Sequence, residues 1–241
     1  MTVQAEDNIN VVVNTSAEAL LPAAVQASKA QLQQSWKFDP KTARLPFPQV
    51  QLMPPGVDVR LACTPRASVE NPAPTVIYCA DSRAVLLEHD LLAIAYRLQK
   101  RPAVAYWIAV GLAERLQARA SALSPAATSL QTSCLAGVLL GARGPGLAAV
   151  EADRSMKAAA NAYGDAFSGV VGTGPQRAYA LLSGLGATSL DCSTAHMTRL
   201  ASGQVPIPPD LGTRGPSVGI DVLCRQPPAC PRRMTSALGG V

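Results

Sequence analysis

Six cysteines constrain the fold of this 241-residue chain more than any other feature. No two of them form a C-x-x-C pair, and only His89 and His196 could complete a Cys/His zinc site. Because the number is even, three disulfides are the simpler interpretation, and disulfides predict an oxidising compartment. Counting alone leaves the pairing open among Cys63, Cys79, Cys134, Cys192, Cys224 and Cys230.

Helical patterns fill the middle of the chain. Hydrophobic residues make up 48% and aromatic residues only 4%, so the core must be built mainly from Ala, Leu and Val, and alanine favours helix. Pro102 suits the first turn of a helix. The sequence predicts helices over 89–100, 102–120, 124–142, 146–167 and 174–187.

Short strands are predicted before these helices. Proline and glycine turns leave room for strands near 49–53 and 58–63, and 75–88 is typical of two strands or a hairpin. A β-like run over 9–13 leads into an N-terminal helix with Ser16 as its N-cap. We therefore predict an α+β fold, mainly helical, with a small antiparallel sheet packed on a bundle of helices.

The last fifty residues of the chain, 192–241, are rich in proline and glycine and are expected to be extended. We expect a domain over 1–205 and an extended tail over 206–241, closed locally by Cys224 and Cys230.

The charge and hydropathy of the sequence argue against nucleic-acid binding and against a membrane-spanning segment. The net charge is +5, but the densest basic pairs, Lys100–Arg101 and Arg232–Arg233, are not interleaved with aromatics, which argues against nucleic-acid binding. No stretch has the length of apolar sequence that spans a bilayer. The N-terminal residues are polar and acidic, unlike a signal peptide. We expect an export signal or membrane anchor upstream of residue 1.

Five segments resemble, in order, the neutral zinc metallopeptidases of bacterial envelopes. Their patterns are a "YC" strand element, an H-E-x-x-H helix, a second helix opening with Glu, a G-D segment and a G-T-x-x-Q-R segment. The matching stretches span roughly 60–195 and are 76–92, 107–117, 129–141, 159–167 and 171–185. The resemblance implies a zincin-like domain outside the cytoplasm: secreted, periplasmic or anchored to a membrane.

The catalytic residues of that family are not present here. In H-E-x-x-H, two histidines one turn apart bind zinc and the Glu activates water. The matching positions hold Val110, Gly111 and Glu114, the third-ligand position holds Ser129, and the position of a further His holds Val171. A single carboxylate makes no zinc site, so the resemblance implies a degenerate member with no metal and no cofactor.

The resemblance also implies a pairing of the cysteines and a binding cleft. The expected bridges are Cys63–Cys79, Cys134–Cys192 and Cys224–Cys230. Thr128, Ser129, Thr132 and Ser133 are expected to line the former metal cleft with small polar groups. The full set of expected cleft residues is Glu114, Gln117, Ser129, Ser133, Thr173, Gln176 and Arg177.

Simpler roles compete for several of these residues. Glu114 is expected to be solvated and paired with Arg115 or Arg119. Gln176 and Arg177 are expected to fix the packing of a helix start, and Asp165 to cap a turn. His89 is expected at the surface, and His196 has no evident partner.

We therefore expect a pseudoenzyme at the cell envelope that binds, scaffolds or regulates. Its partner would be an envelope protein or a peptide, added as a strand to the sheet edge, and membrane attachment would need an anchor outside the given sequence. One alternative is an enzyme, either a hydrolase using Ser129 or Ser133 with a base near Ser133 or a metalloenzyme with unusual ligands. Another is a structural envelope domain that acts through its proline-rich tail.

Overall fold

The computed structural model describes residues 3–40, 42–63, 75–117, 123–142, 149–163, 167–208 and 211, with side chains from residue 19 onward except at residue 149. The elements in chain order are α1 (Val3–Phe38), β1 (Gln49–Leu52), α2 (Val59–Cys63), β2 (Val76–Cys79), β3 (Ala84–Leu87), α3 (His89–Gln99), α4 (Arg101–Gln117), α5 (Pro125–Gly141), α6 (Ala149–Ala160), α7 (Ser168–Val171), α8 (Gly174–Gly184) and α9 (Thr194–Ala201). The fold is mixed α+β and mostly helical, as predicted.

Helix α4 is the centre of the molecule. Every residue from Pro102 to Ala113 is buried, because α1, α3, α5, α6 and the sheet all pack around it. A helix that is apolar on all sides is typically buried in this way. None of the helices in the described ranges has the length and hydropathy needed to cross a bilayer.

Helices α5 and α8 approach each other closely through glycine. A Cβ atom on Gly184 would lie 1.8 Å from the backbone oxygen of Cys134, and one on Gly137 would lie 2.3 Å from the backbone oxygen of Leu181. Only a residue without a side chain permits this contact.

The sheet is mixed rather than antiparallel. β2 and β3 form the predicted hairpin, and β1 pairs with β3 in parallel, giving the order β1-β3-β2. The chain between β1 and β3 runs through α2 and β2, which supplies the long connection that a parallel pair needs. One face packs on α4 through Val76, Val85 and Leu87, and the other packs on α2.

Three other predicted elements are wrong. Residues 58–63 form helix α2 rather than a strand, because the Asp58 carboxylate accepts the Arg60 amide at 2.8 Å and caps the turn. Residues 9–13 and Ser16 lie inside α1, since propensity is a weak prior and an established helix extends readily. Residues 194–201 form α9, capped by Ser193, where an extended tail was expected.

Two of the three expected disulfides are present. Cys63 at the end of α2 is bonded to Cys79 in β2, and Cys134 in α5 is bonded to Cys192 after α8. Cys224, Cys230 and most of the expected tail lie outside the described residues. Of its first residues, Ile207 contacts the core and Leu211 is buried in it.

Candidate functional site

A pocket of about 450 Å³ opens between α4, α5, Tyr163 and the end of α7. Its walls combine aliphatic, aromatic, hydroxyl and amide groups with one carboxyl. The lining residues are Tyr106, Val110, Glu114, Gln117, Leu123, Pro125, Thr128, Ser129, Thr132, Ser133, Tyr163, Val170 and Val171.

The pocket collects most of the positions that the sequence singled out. Val110 and Glu114 line it from α4, Ser129 and Ser133 from α5, and Val171 from the end of α7. Gln117, Thr128 and Thr132 also line it. Positions that are up to 61 residues apart along the chain therefore share one cavity.

Gly111 is the exception, because it faces the sheet. A Cβ atom at this position would meet Val85 Cγ1 at 2.5 Å and Val76 Cγ2 at 2.7 Å. Glycine is therefore required for α4 to lie this close to β2 and β3, and a longer side chain would not fit without a shift of the helix.

Glu114 is not the solvated residue that was expected. It is half-buried, it lines the pocket, and its Oε2 accepts the backbone amide of Tyr78 at 2.8 Å. Burial removes water from the carboxyl and raises its pKa to about 7, against the smaller lowering effect of the Tyr78 amide. Its neighbour Arg115 turns elsewhere, donating to the Pro46 carbonyl and packing near the rings of Trp36 and Tyr78.

The register of the hairpin explains why the Tyr78 amide is free to meet Glu114. Residues 75 and 88 face each other, and the Glu88 amide donates to the Thr75 carbonyl, so hydrogen-bonded pairs alternate from there. Tyr78 lies opposite Val85, at a pair that does not exchange hydrogen bonds. The Tyr78 amide therefore points outward from the edge of β2, where the Glu114 carboxyl accepts a hydrogen bond from it.

Two tyrosines line the pocket. The Tyr106 hydroxyl lies 3.4 Å from Ser133 Oγ, and burial raises the pKa of Tyr106. Burial, together with the charges of Tyr106 and Glu114, also raises the pKa of Tyr163. Ser133 thus contacts a phenol that keeps its proton rather than a base, and neither His89 nor His196 lines the pocket.

Gln117 and Gln131 form hydrogen bonds that connect the helices of the pocket wall. The Gln117 amide nitrogen donates to the Thr128 carbonyl at 2.9 Å and to Gln131 Oε1 at 2.8 Å, and its oxygen accepts from Thr132. The Gln131 amide continues to the Cys192 carbonyl at 2.9 Å. Gln117 therefore lines the pocket while joining α4 to α5.

Thr173, Gln176 and Arg177 do not line the pocket. Thr173 and Gln176 form the capping box that starts α8, after Gly172 ends α7 with a φ of +78°. Arg177 is fully buried and donates to the carbonyls of Ala159, Ala160 and Gly172. The helix-packing role expected for Gln176 and Arg177 is confirmed. Arg177 donates to the carbonyls at the end of α6, which explains why this helix ends at Ala160.

The histidines lie in pairs with aspartates. His196 Nδ1 lies 2.7 Å from Asp191 Oδ1, which corrects the expectation that it has no partner. His89 Nδ1 lies 2.9 Å from Asp90 Oδ1 at the start of α3. In the part of the chain that the structure describes, no group of three His, Cys, Asp or Glu side chains could hold a metal ion. Asp165 is outside that part.

Sequence reasoning missed Tyr106 and Tyr163. Tyr106 could have been found, because residues 106, 110, 114 and 117 share one face of a helix with 3.6 residues per turn. Tyr163 carries no such signal, since only the return of the chain after α6 brings it opposite α4.

Comparisons with protein-family models, with curated proteins and with solved structures found no match to this chain.

Proposed function

We propose that this chain is a non-catalytic binding protein of the cell envelope, a pseudoenzyme with a metallopeptidase-like fold whose pocket holds part of a peptide or partner protein. One observation carries the proposal. Val110, Glu114 and Ser129, the positions at which the resemblance places zinc ligands, all line the same pocket, and so does Val171 at the position of a further histidine.

The chemistry of these side chains supports binding rather than hydrolysis. Valine offers no metal ligand, serine is a weak one, and Glu114 alone is a single carboxylate. Ser133 is 3% exposed and contacts a protonated phenol, which does not support a serine hydrolase. The pocket keeps the size and mixed lining of a binding site.

The geometry favours capture of a side chain over strand addition at Tyr78. A peptide strand that paired with β2 would need the outward amide of Tyr78, and Glu114 already accepts it. Strand pairing at this point would first require release of that carboxyl. A side chain that enters the pocket needs no such release.

The location is part of the proposal. Disulfides are typical of proteins from oxidising compartments, and two of them join distant parts of this fold. That chemistry and the resemblance support an extracytoplasmic site of action.

Selection from a displayed peptide library tests this function. Ser129 is half-buried in the pocket wall, so Ser129→Trp should fill the cavity at little cost to the core. We expect selected peptides to bind the wild-type protein, to remain uncleaved, and to lose binding to Ser129→Trp. Ser189→Trp, at an exposed position away from the pocket, is the matched control and should bind normally.

Two results would contradict the proposal. Cleavage of the selected peptides by the purified protein would establish an enzyme. Binding that survives Ser129→Trp but disappears on deletion of residues 206–241 would instead support a structural domain acting through its tail.

A further inference from the structure

We propose that the pocket recognises an aliphatic ammonium group, such as a lysine side chain or a peptide N-terminus, with the Glu114 carboxylate as its counter-ion. The inference rests on the proposed peptide-binding function and names the chemical class of the group that enters the pocket.

The Glu114 carboxyl has no paired cation among the described residues. Glu114 Oε2 accepts the Tyr78 amide, and no Lys, Arg or His of the described ranges forms an ion pair with Glu114. Arg115, the adjacent cation, is engaged with Pro46 and two aromatic rings. Partial burial makes the carboxylate of Glu114 costly without a partner charge, and a ligand ammonium would supply that charge.

The described residues that line the pocket include no charged side chain other than Glu114. The titratable side chains around it are Tyr106 from α4, Tyr163 after α6 and Tyr78 of β2, and Arg177 of α8 lies 5.8 Å from the centre of the Tyr163 ring. Helix α5, which forms the opposite wall, contains no charged residue. Glu114 is therefore the anionic group that the described lining offers to a ligand.

The rest of the lining suits the body of such a ligand. Tyr163 is close enough to Glu114 for the carboxylate charge to raise its pKa, so a cation at Glu114 would also lie near this ring. Aromatic rings attract cations, and the effect grows when water is excluded. Val110, Leu123, Pro125, Val170 and Val171 present apolar surface to the methylene groups of an alkyl chain.

Recognition of a cation should depend on pH. The pKa of Glu114 is about 7, whereas a lysine side chain keeps its proton to about pH 10 and a peptide N-terminus to about pH 8. The carboxylate is formed above pH 7, so the attraction should be present at pH 8 and lost as the pH falls through 7.

Peptides of one length and different charge test the inference. The probes are acetyl-Ala-Ala-Lys-Ala-Ala-amide, the same peptide with norleucine in place of lysine, and the norleucine peptide with a free N-terminus. Binding is followed by NMR chemical shifts of the isotope-labelled full chain at pH 8 and pH 6. We expect the lysine peptide to bind about tenfold more tightly than its acetylated norleucine counterpart at pH 8, with a smaller difference at pH 6.

Two variants identify the group responsible. Glu114→Gln retains an oxygen that can accept the Tyr78 amide. In this variant the affinity for the lysine peptide should fall to the affinity for the norleucine peptide. Ser129→Trp should abolish binding of every probe. Tighter binding of the free N-terminus than of the lysine side chain would support the same chemistry and identify the terminal amine as its source.

The outcomes separate this inference from the function on which it rests. Equal binding of lysine and acetylated norleucine peptides at pH 8, both lost in Ser129→Trp, would overturn ammonium recognition and leave peptide binding supported. A lysine preference that persists in a folded Glu114→Gln variant would also overturn it. Absence of binding by all probes, or binding that Ser129→Trp does not change, would overturn both.

Discussion

The carboxyl of Glu114 accepts the backbone amide of Tyr78 across 2.8 Å, which joins the last turn of α4 to the outer edge of β2. The same carboxyl lines the pocket. One side chain therefore closes a sheet edge, where an unpaired amide would invite another strand, and supplies the charge of the candidate site.

This arrangement predicts how stability changes with pH. The pKa of Glu114 rises from an ordinary 4.5 to about 7 on folding, so between these values the folded protein holds a proton that the unfolded chain has lost. The stabilisation of the folded state by protonated Glu114 is fully present below pH 4.5. This contribution, up to about 3 kcal/mol, is lost as the pH rises through 7.

Urea unfolding at pH 5 and pH 8 checks this. The side chain of the Glu114→Gln variant cannot ionise. The stability of this variant relative to the wild-type protein should therefore be greater at pH 8 than at pH 5. Identical pH dependence in the two proteins would show that Glu114 titrates normally.

Arg177 should be a major source of stability. Replacement by Met would remove the side-chain donors that meet the carbonyls of Ala159, Ala160 and Gly172 in the protein interior. We expect the free energy of unfolding to fall by about 3 kcal/mol or more, as measured by urea denaturation. Arg199→Met, at an exposed position on α9, is the control and should change it little. A similar small change in both variants would contradict this role.

The contact between α5 and α8 should not tolerate a methyl group. In Gly184→Ala, the new Cβ would overlap the backbone of Cys134, so the helices must separate at a cost of about 3 kcal/mol. Gly169→Ala is a matched control, because nothing lies within 4 Å of its Cβ position. Thermal unfolding should show a large loss for the first variant only, and equal melting temperatures would refute the close approach.

The two disulfides should differ in their contributions. Cys134–Cys192 closes a span of 58 residues and Cys63–Cys79 a span of 16. Chain entropy predicts losses of about 4 and about 3 kcal/mol when each pair is replaced by alanine. Chemical denaturation of the two double variants under non-reducing conditions measures both. An unchanged stability without the Cys134–Cys192 bridge would mean that this pairing does not form.

The purified protein should contain no stoichiometric zinc. Val110 and Gly111 cannot ligate a metal, and Glu114 is a single carboxylate. Elemental mass spectrometry gives the metal content, and added zinc should not raise the melting temperature. One tightly bound zinc per chain would overturn the interpretation of these positions and direct the search to His89, His196 and Glu114.

Local signals predicted much of the fold correctly. Helical periodicity located α3, α4, α5 and α8, and the stretch 75–88 was predicted to form two strands or a hairpin. They failed where a contact distant in sequence decides the outcome. The carbonyls taken by Arg177 end α6 seven residues before the predicted end, and β1 pairs with a strand that is not its neighbour in the chain.

The candidate site divides in the same way. Its residues on α4 and α5 were within reach of sequence reasoning, because helical periodicity places them on shared faces. By itself, the sequence determined that this chain is a disulfide-containing, mostly helical α+β protein and that positions 110, 111, 114 and 129 lack the groups of a zinc peptidase. Only the tertiary structure decided that Glu114 is desolvated, that Tyr163 joins it and that Gly111 faces the sheet, because desolvation and close packing arise from segments far apart in the chain.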